Sequence, residues 1–138
     1  MQTVNWHMLN DLMNPLGGTG DIDEKIYQYR NFDNNNEIGV KKIIMQEIKP
    51  YYEKAPDAYK TSLKRSLSYF LTTDRIDFGR LYDSCLIAFN HPTNPKDFFV
   101  WIWQELFIGE DYYMEIPNNN IEIDDPQEPY QYWIAQEK

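Results

Sequence analysis

The sequence predicts an all-α or mainly α domain: a compact bundle of five to six helices forming a single globular unit over residues 1–138, with a short β-hairpin near the C-terminus. Three observations carry this expectation. Apolar residues recur every three to four positions along most of the chain, the spacing that gathers them on one helix face. Capping residues such as Thr3, Asp77 and Asn94 precede these runs and Pro or Gly follows them, as at helix starts and stops. One run, Phe98 to Trp103, is apolar nearly all round, which suits a buried central element. With 138 residues, 42% of them apolar and 16% aromatic, the chain has enough apolar surface to offset its ordering entropy, so disorder is not expected.

The elements follow in order. In Val4 to Met13, Trp6, Leu9 and Met13 share a face, Thr3 is the candidate N-cap, and Asn14-Pro15 with Gly17-Gly18 ends the run. A second helix is expected over Asp21 to Phe32, where Asp21 and Glu24 have capping-box spacing and Ile22, Ile26 and Tyr29 align. Glu37 to Lys54 is the clearest amphipathic stretch, with Val40, Ile44, Ile48 and Tyr51 on a stripe widened by Ile43 and Tyr52. After Pro56, the residues Tyr59, Leu63, Leu67, Phe70 and Leu71 keep a helical period as far as Thr72-Thr73. Asp74 and Asp77 can cap the next helix, which presents Phe78, Leu81, Tyr82, Cys85, Leu86 and Phe89 before Asn90 and Pro92.

Asn94-Pro95-Lys96-Asp97 places a capping Asn, a first-turn Pro and a carboxylate at N3, opening a helix expected to reach Ile108. A run as short as Phe98 to Trp103 also fits a strand, but the length between caps favours helix. Gly109 supplies a residue free to take positive φ beyond the helix end. From Tyr113 to Ile123 the period falls to two around Asn118-Asn119-Asn120, which reads as the hairpin. Asp124-Asp125-Pro126 and Glu128-Pro129 are expected to keep the following stretch extended, with Tyr130, Tyr132, Trp133 and Ile134 docking it on the body.

Several classes are excluded by counting. A lone cysteine, Cys85, makes no internal disulfide and points to a reducing compartment, the cytoplasm by default. The first sixteen residues carry no Lys or Arg and resemble no targeting segment. The longest apolar run has six residues, far short of the roughly 20 a bilayer requires, so no membrane role is expected.

The chain holds 22 acids and 13 bases, a formal charge of −9. Residues 1–96 balance at twelve of each, while residues 97–138 hold ten acids and one base. Residues 41–80 alone are positive, at +4. A surface acidic at one end repels nucleic acid and anionic lipid and speeds encounter with a cationic protein. The predicted partner is therefore a cationic protein, with no direct nucleic-acid binding.

No motif announces catalysis or a cofactor. His7 and His91 lie in no zinc-ligand spacing, and an ordinary solvated histidine outweighs a general base at either position. Cys85 falls on an apolar face and reads as a buried, inert thiol. Gly17-Gly18-Thr19-Gly20 lacks the Gly-Lys-Ser/Thr ending of a phosphate loop, and Asp21-Ile22-Asp23-Glu24 lacks the remainder of a calcium loop. Oxygens from Asn118 to Asp125 read as a turn followed by solvated acids rather than as a cation site. No enzyme, metal or cofactor is expected.

What stands out is the acidic, aromatic C-terminal segment. Glu110, Asp111, Glu115, Glu122, Asp124 and Asp125 are expected to supply an unpaired anionic field, and Tyr112, Tyr113 and Tyr130 the contact area, since Tyr is enriched at binding hot spots. Gly109-Glu110-Asp111-Tyr112-Tyr113 followed by Pro117 resembles the acid-then-paired-tyrosine arrangement of immunity proteins from bacterial toxin systems, both colicin-type and contact-dependent growth inhibition antidotes. That resemblance implies an antidote that occludes a cognate toxin, with Asp111, Tyr112 and Tyr113 as contacts. The physical reason is independent of it: a nuclease needs a cationic groove for phosphate, and an inhibitor can fill that groove with carboxylates while aromatic anchors exclude water. Two alternatives have the same or weaker motivation: a nucleic-acid mimic of the phage type, and a small enzyme built on Asp, Glu, Tyr and His91.

Overall fold

The computed structural model describes residues 2–16, 32–85, 87 and 89–137. Among them are six helices and one pair of parallel strands. The strand β1 (Gln2–Asn5) leads directly into α1 (Trp6–Leu12). A long helical run, α2, covers residues 37–54, followed by α3 (Asp57–Thr73), α4 (Phe78–Ser84) and α5 (Pro95–Leu106). The strand β2 (Asn120–Ile123) and α6 (Gln127–Glu137) complete the chain. The helix and the glycine loop expected between Gly17 and Phe32 lie, but for Phe32, outside the described residues.

Local chemistry sets most helix ends. Asn94 accepts a hydrogen bond from Lys96 N at 3.2 Å, Pro95 occupies the first turn and Asp97 meets the helix's positive end, as read. Asp77 caps α4 by accepting from Arg80 N at 3.1 Å. Asp74 instead ends α3 in the left-handed region at φ 54, a conformation Asp tolerates better than most residues. In α2 the segment Ile44–Ile48 widens to a π-turn, with Lys49 N bonded to Ile44 O. Pro50 explains the widening, because its ring removes one ladder donor and crowds the carbonyl four residues back. Val40, Ile43, Ile44 and Ile48 still reach the core.

The centre is shared by two helices. α5 contributes Phe98, Phe99 and Ile102 with no exposure at all, and α3 contributes Tyr59, Leu63, Leu67 and Phe70. α3 is the hub: it packs against β1, α1, α5 and α6, whereas α5 bears on α2, α3 and α4. Rings interlock around Phe98, with Tyr82 at 5.1 Å and Phe99 at 5.6 Å, both edge-on.

Five expectations are corrected. Thr3 is not a cap, because Gln2–Asn5 is extended and Asn5 accepts from His7 N at 3.1 Å. The fourth helix stops at Ser84 rather than running to Phe89, which folds back so that its carbonyl accepts from Tyr82 Oη at 2.6 Å. α5 ends at Leu106, two residues short of Ile108.

There is no hairpin over Tyr113 to Ile123. Tyr112 and Met114 use their backbone on Ser68 and Thr72 of α3, so the first arm is unavailable. The second arm pairs in parallel with the N-terminus, Thr3 opposite Ile121 and Asn5 opposite Ile123. Residues 127–137 are helical, not extended. Asp125 accepts from Gln127 N at 2.9 Å, and Pro129 falls in the first turn, where its missing N–H costs nothing.

Gly109 does take positive φ, at +81, with no heavy atom near the position of a Cβ. Gly109→Ala therefore meets only backbone strain. It should lower stability by about 1 kcal/mol, read as a reduced denaturant midpoint at unchanged slope.

Candidate functional site

Beyond α5 the chain forms an irregular loop over residues 107–116 that is fixed at several points. Trp103 Nε1 donates to Glu110 O at 2.7 Å, Ser68 Oγ to Tyr112 O at 2.6 Å, and Met114 N to Thr72 Oγ1 at 2.9 Å. Asp111 accepts from Tyr113 N at 3.0 Å, an Asx turn that closes the loop tip. The loop nevertheless holds Ile108, Tyr113 and Ile116 out in water, at 72, 64 and 59% exposure. Of the seven large apolar side chains most exposed among the described residues, five fall between residues 108 and 130, Ile121 and Tyr130 being the others.

The expected field of six unpaired carboxylates is not what folding produces. Glu110 is held by Lys64 Nζ at 2.8 Å. Glu122 is paired with Arg75 and also accepts from Tyr69 Oη at 2.8 Å. Asp124 Oδ1 lies 2.6 Å from His7 Nε2. Asp125 is half-buried, spending its carboxylate on the α6 cap and its carbonyl on Asn5 Nδ2 at 2.7 Å. The reason is the charge pattern itself: the positive residues 41–80 include α3, and the acidic segment wraps that helix. Asp111 and Glu115 remain exposed, with no base paired to them among the described residues.

Tyr112 is also corrected. It is half-buried against Lys96, whose Nζ sits 5.7 Å from its ring centroid, while its neighbour Tyr113 faces solvent. Tyr130 is exposed at 58%. Exposure of Ile108, Ile116 and Ile121 has no signal in the sequence, because an isoleucine closing a helix or lying in a period-two run ordinarily belongs to the core.

Two partly buried polar clusters have no signal in the sequence. Asn5 has no exposed surface, and its Nδ2 donates to Glu128 Oε1 at 2.9 Å. Ser62 Oγ and Tyr132 Oη donate to Glu128 Oε2 at 2.6 and 2.7 Å. Burial alone pushes the Glu128 carboxyl up, but these donors and the Arg65 charge outweigh it and hold the group below its ordinary value. In the second cluster Asp11 Oδ2 accepts from Tyr59 Oη at 2.7 Å, Tyr51 Oη at 3.0 Å and Trp133 Nε1 at 3.3 Å. Burial, then the Asp11 charge, raises both tyrosines well above their ordinary range, so they stay protonated donors. These clusters tie β1, α1, α2, α3 and α6 together behind the exposed loop.

Compared with known proteins, the chain matches no family model, no curated sequence and no solved structure at a significant level. His91 Nδ1 donates to Pro92 O at 2.7 Å and its ring abuts Tyr82; no carboxylate among the described residues bonds to it. Cys85 is buried, and burial pushes its thiol up to about 11. Among the described residues no three His, Cys, Asp or Glu converge as a metal site, and no helix is long and apolar enough to cross a membrane.

Two clefts open on the surface. One of about 330 Å³ is lined by Trp6, Ile76, Asp77, Arg80, Leu81 and Ser84. The other, about 460 Å³, lies behind the anchored loop between Lys64, Arg65, Ser68, Trp103, Glu110 and Met114. In the second, Lys64 is already engaged by Glu110. In the first, Asp77 is spent on the α4 cap. The loop itself holds three of the seven large apolar side chains most exposed among the described residues.

Proposed function

We propose that this protein is a stoichiometric inhibitor, an immunity protein that binds and neutralises a cognate toxin domain, a cationic nuclease, through the anchored loop 108–116. The observation that carries the reading is that Ile108, Tyr113 and Ile116 stand exposed, next to Asp111 and Glu115, on a loop already fixed by bonds to α3 and α5. A loop ordered before it binds loses little conformational entropy on binding, so the apolar area it buries goes into affinity. Solvent-exposed aromatic and aliphatic anchors ringed by acids suit a cationic groove, and the net charge of −9 steers encounter toward it. Pairing of Glu110 and Glu122 by bases also favours one specific partner over the nucleic-acid mimic, which needs a continuous run of free carboxylates.

The test is complex formation with purified cationic nuclease domains, the product encoded beside this chain first among them. A 1:1 complex with loss of nuclease activity is expected. Tyr113→Ala should weaken it roughly 30-fold, as removal of a hot-spot aromatic does. Asp111→Lys with Glu115→Lys should slow association about tenfold at low salt, an effect that shrinks as salt screens it. Absence of any such complex, or one that both variants leave unchanged, rejects the proposal.

A further inference from the structure

We infer that the outer edge of β2 takes up an extended, lysine- or arginine-rich segment of the partner protein as a third strand; the inference rests on the reading that residues 108–130 face a partner. The two edges of the small sheet are treated differently by the fold. The β1 edge is closed by α3, since Asn5 N donates to Ser66 Oγ at 3.0 Å and Thr3 O accepts from Arg65 Nη1 at 3.2 Å. Among the described residues the backbone groups of Ile121, Glu122 and Ile123 bond only into the ladder with β1, and α3 meets β2 at the Glu122 side chain, which accepts from Tyr69 Oη. Ile121 and Glu122 are both exposed.

Such an edge is a template for one more strand, whose backbone would supply affinity while alternate side chains supply selectivity. Charge decides which strand. Residues 110–128 hold seven carboxylates and no Lys or Arg; Lys64, Arg75 and His7 meet Glu110, Glu122 and Asp124, and Arg65 acts on Glu128, which leaves an excess of acid. A second copy of this chain would bring the same acid excess against itself, and like charges opposed across strands are destabilising. A basic strand meets that excess with opposite charge, with an apolar residue resting on Ile121.

The peptide Ac-Lys-Val-Lys-Val-Lys-Val-NH2 serves as probe against the full chain, with the Glu-Val counterpart as control, followed by amide hydrogen exchange and NMR. Saturation with the Lys-Val peptide should slow exchange of those amides of Ile121 to Ile123 that point away from β1 at least tenfold, while the Glu-Val peptide leaves them unchanged. Ile121→Lys should weaken the probe at least tenfold with near-ultraviolet circular dichroism preserved. Probe binding without protection at β2, equal binding of both peptides, or β2 amides already protected in a self-associated chain overturns the inference, whatever the variant does. A toxin complex that depends on Tyr113 but leaves β2 amides unprotected rejects this inference alone. Protection by the probe with no toxin complex rejects the inhibitor reading alone.

Discussion

Replacing Asn5 by alanine is expected to destabilise the fold by about 3 kcal/mol, although the side chain it removes is small. The sum has two parts. Loss of the α1 N-cap costs about 1 kcal/mol, since His7 N loses its acceptor. The larger part falls on Glu128 Oε1, which loses its amide donor, while the Asp125 carbonyl keeps only the longer bond from Glu128 N at 3.3 Å. Leaving a buried acceptor unpaired costs about 1–3 kcal/mol, more when it is charged. For a chain of 138 residues this is a fall of roughly 10 °C in Tm.

The same cluster sets a pH signature. Because the Glu128 pKa is lowered in the folded state, its stabilisation is fully present above the unfolded value and is lost as pH falls through the folded one. Wild type should therefore lose more stability on acidification below the ordinary carboxylate range than Glu128→Gln does. Equal losses in chemical denaturation at pH 7 and pH 3 would show that Glu128 contributes no linkage.

How much of this was legible depended on the reach of the interaction. Asn94, Pro95, Asp77 and Gly109 act within one helical turn of themselves, and each was read correctly in place or conformation. The pairing of Asn120–Ile123 with Gln2–Asn5 joins segments almost a full chain apart, and no local pattern distinguishes it from a hairpin arm. Pro126 and Pro129 were misread because proline blocks a helix interior yet sits freely in a first turn. In the site, Tyr112 and Tyr113 are equivalent as sequence. What separates them is which carbonyl Ser68 reaches, a tertiary fact that turns one ring toward Lys96 and the other toward solvent. The acidic bias of the last third was real, but its neutralisation followed from the basic excess of residues 41–80, which the same charge count already contained.

Phe98→Ala should be the most damaging single truncation, at about 4 kcal/mol, within the range for burying a cavity where an aromatic core side chain stood. Phe98 is fully buried and has Tyr82, Phe89 and Phe99 around it, at ring separations of 5.1, 6.4 and 5.6 Å. Those neighbours are fixed from elsewhere: Tyr82 by its bond to Phe89 O, and Phe99 by Phe78 at 5.3 Å. The cavity therefore cannot close by simple collapse. Phe98→Leu fills most of it and should cost about 1.5 kcal/mol.

Cys85 reports on both variants without any added label. It caps α4 within the same cluster, is buried, and has a thiol pushed up to about 11, so it reacts with a disulfide reagent only from an opened state. A loss of about 4 kcal/mol raises the population of that state about a thousandfold. Labelling of Phe98→Ala should accelerate by that factor and of Phe98→Leu by about tenfold. An increase below tenfold in Phe98→Ala would mean that Cys85 is exposed by a local opening of α4, independent of the core that α5 organises.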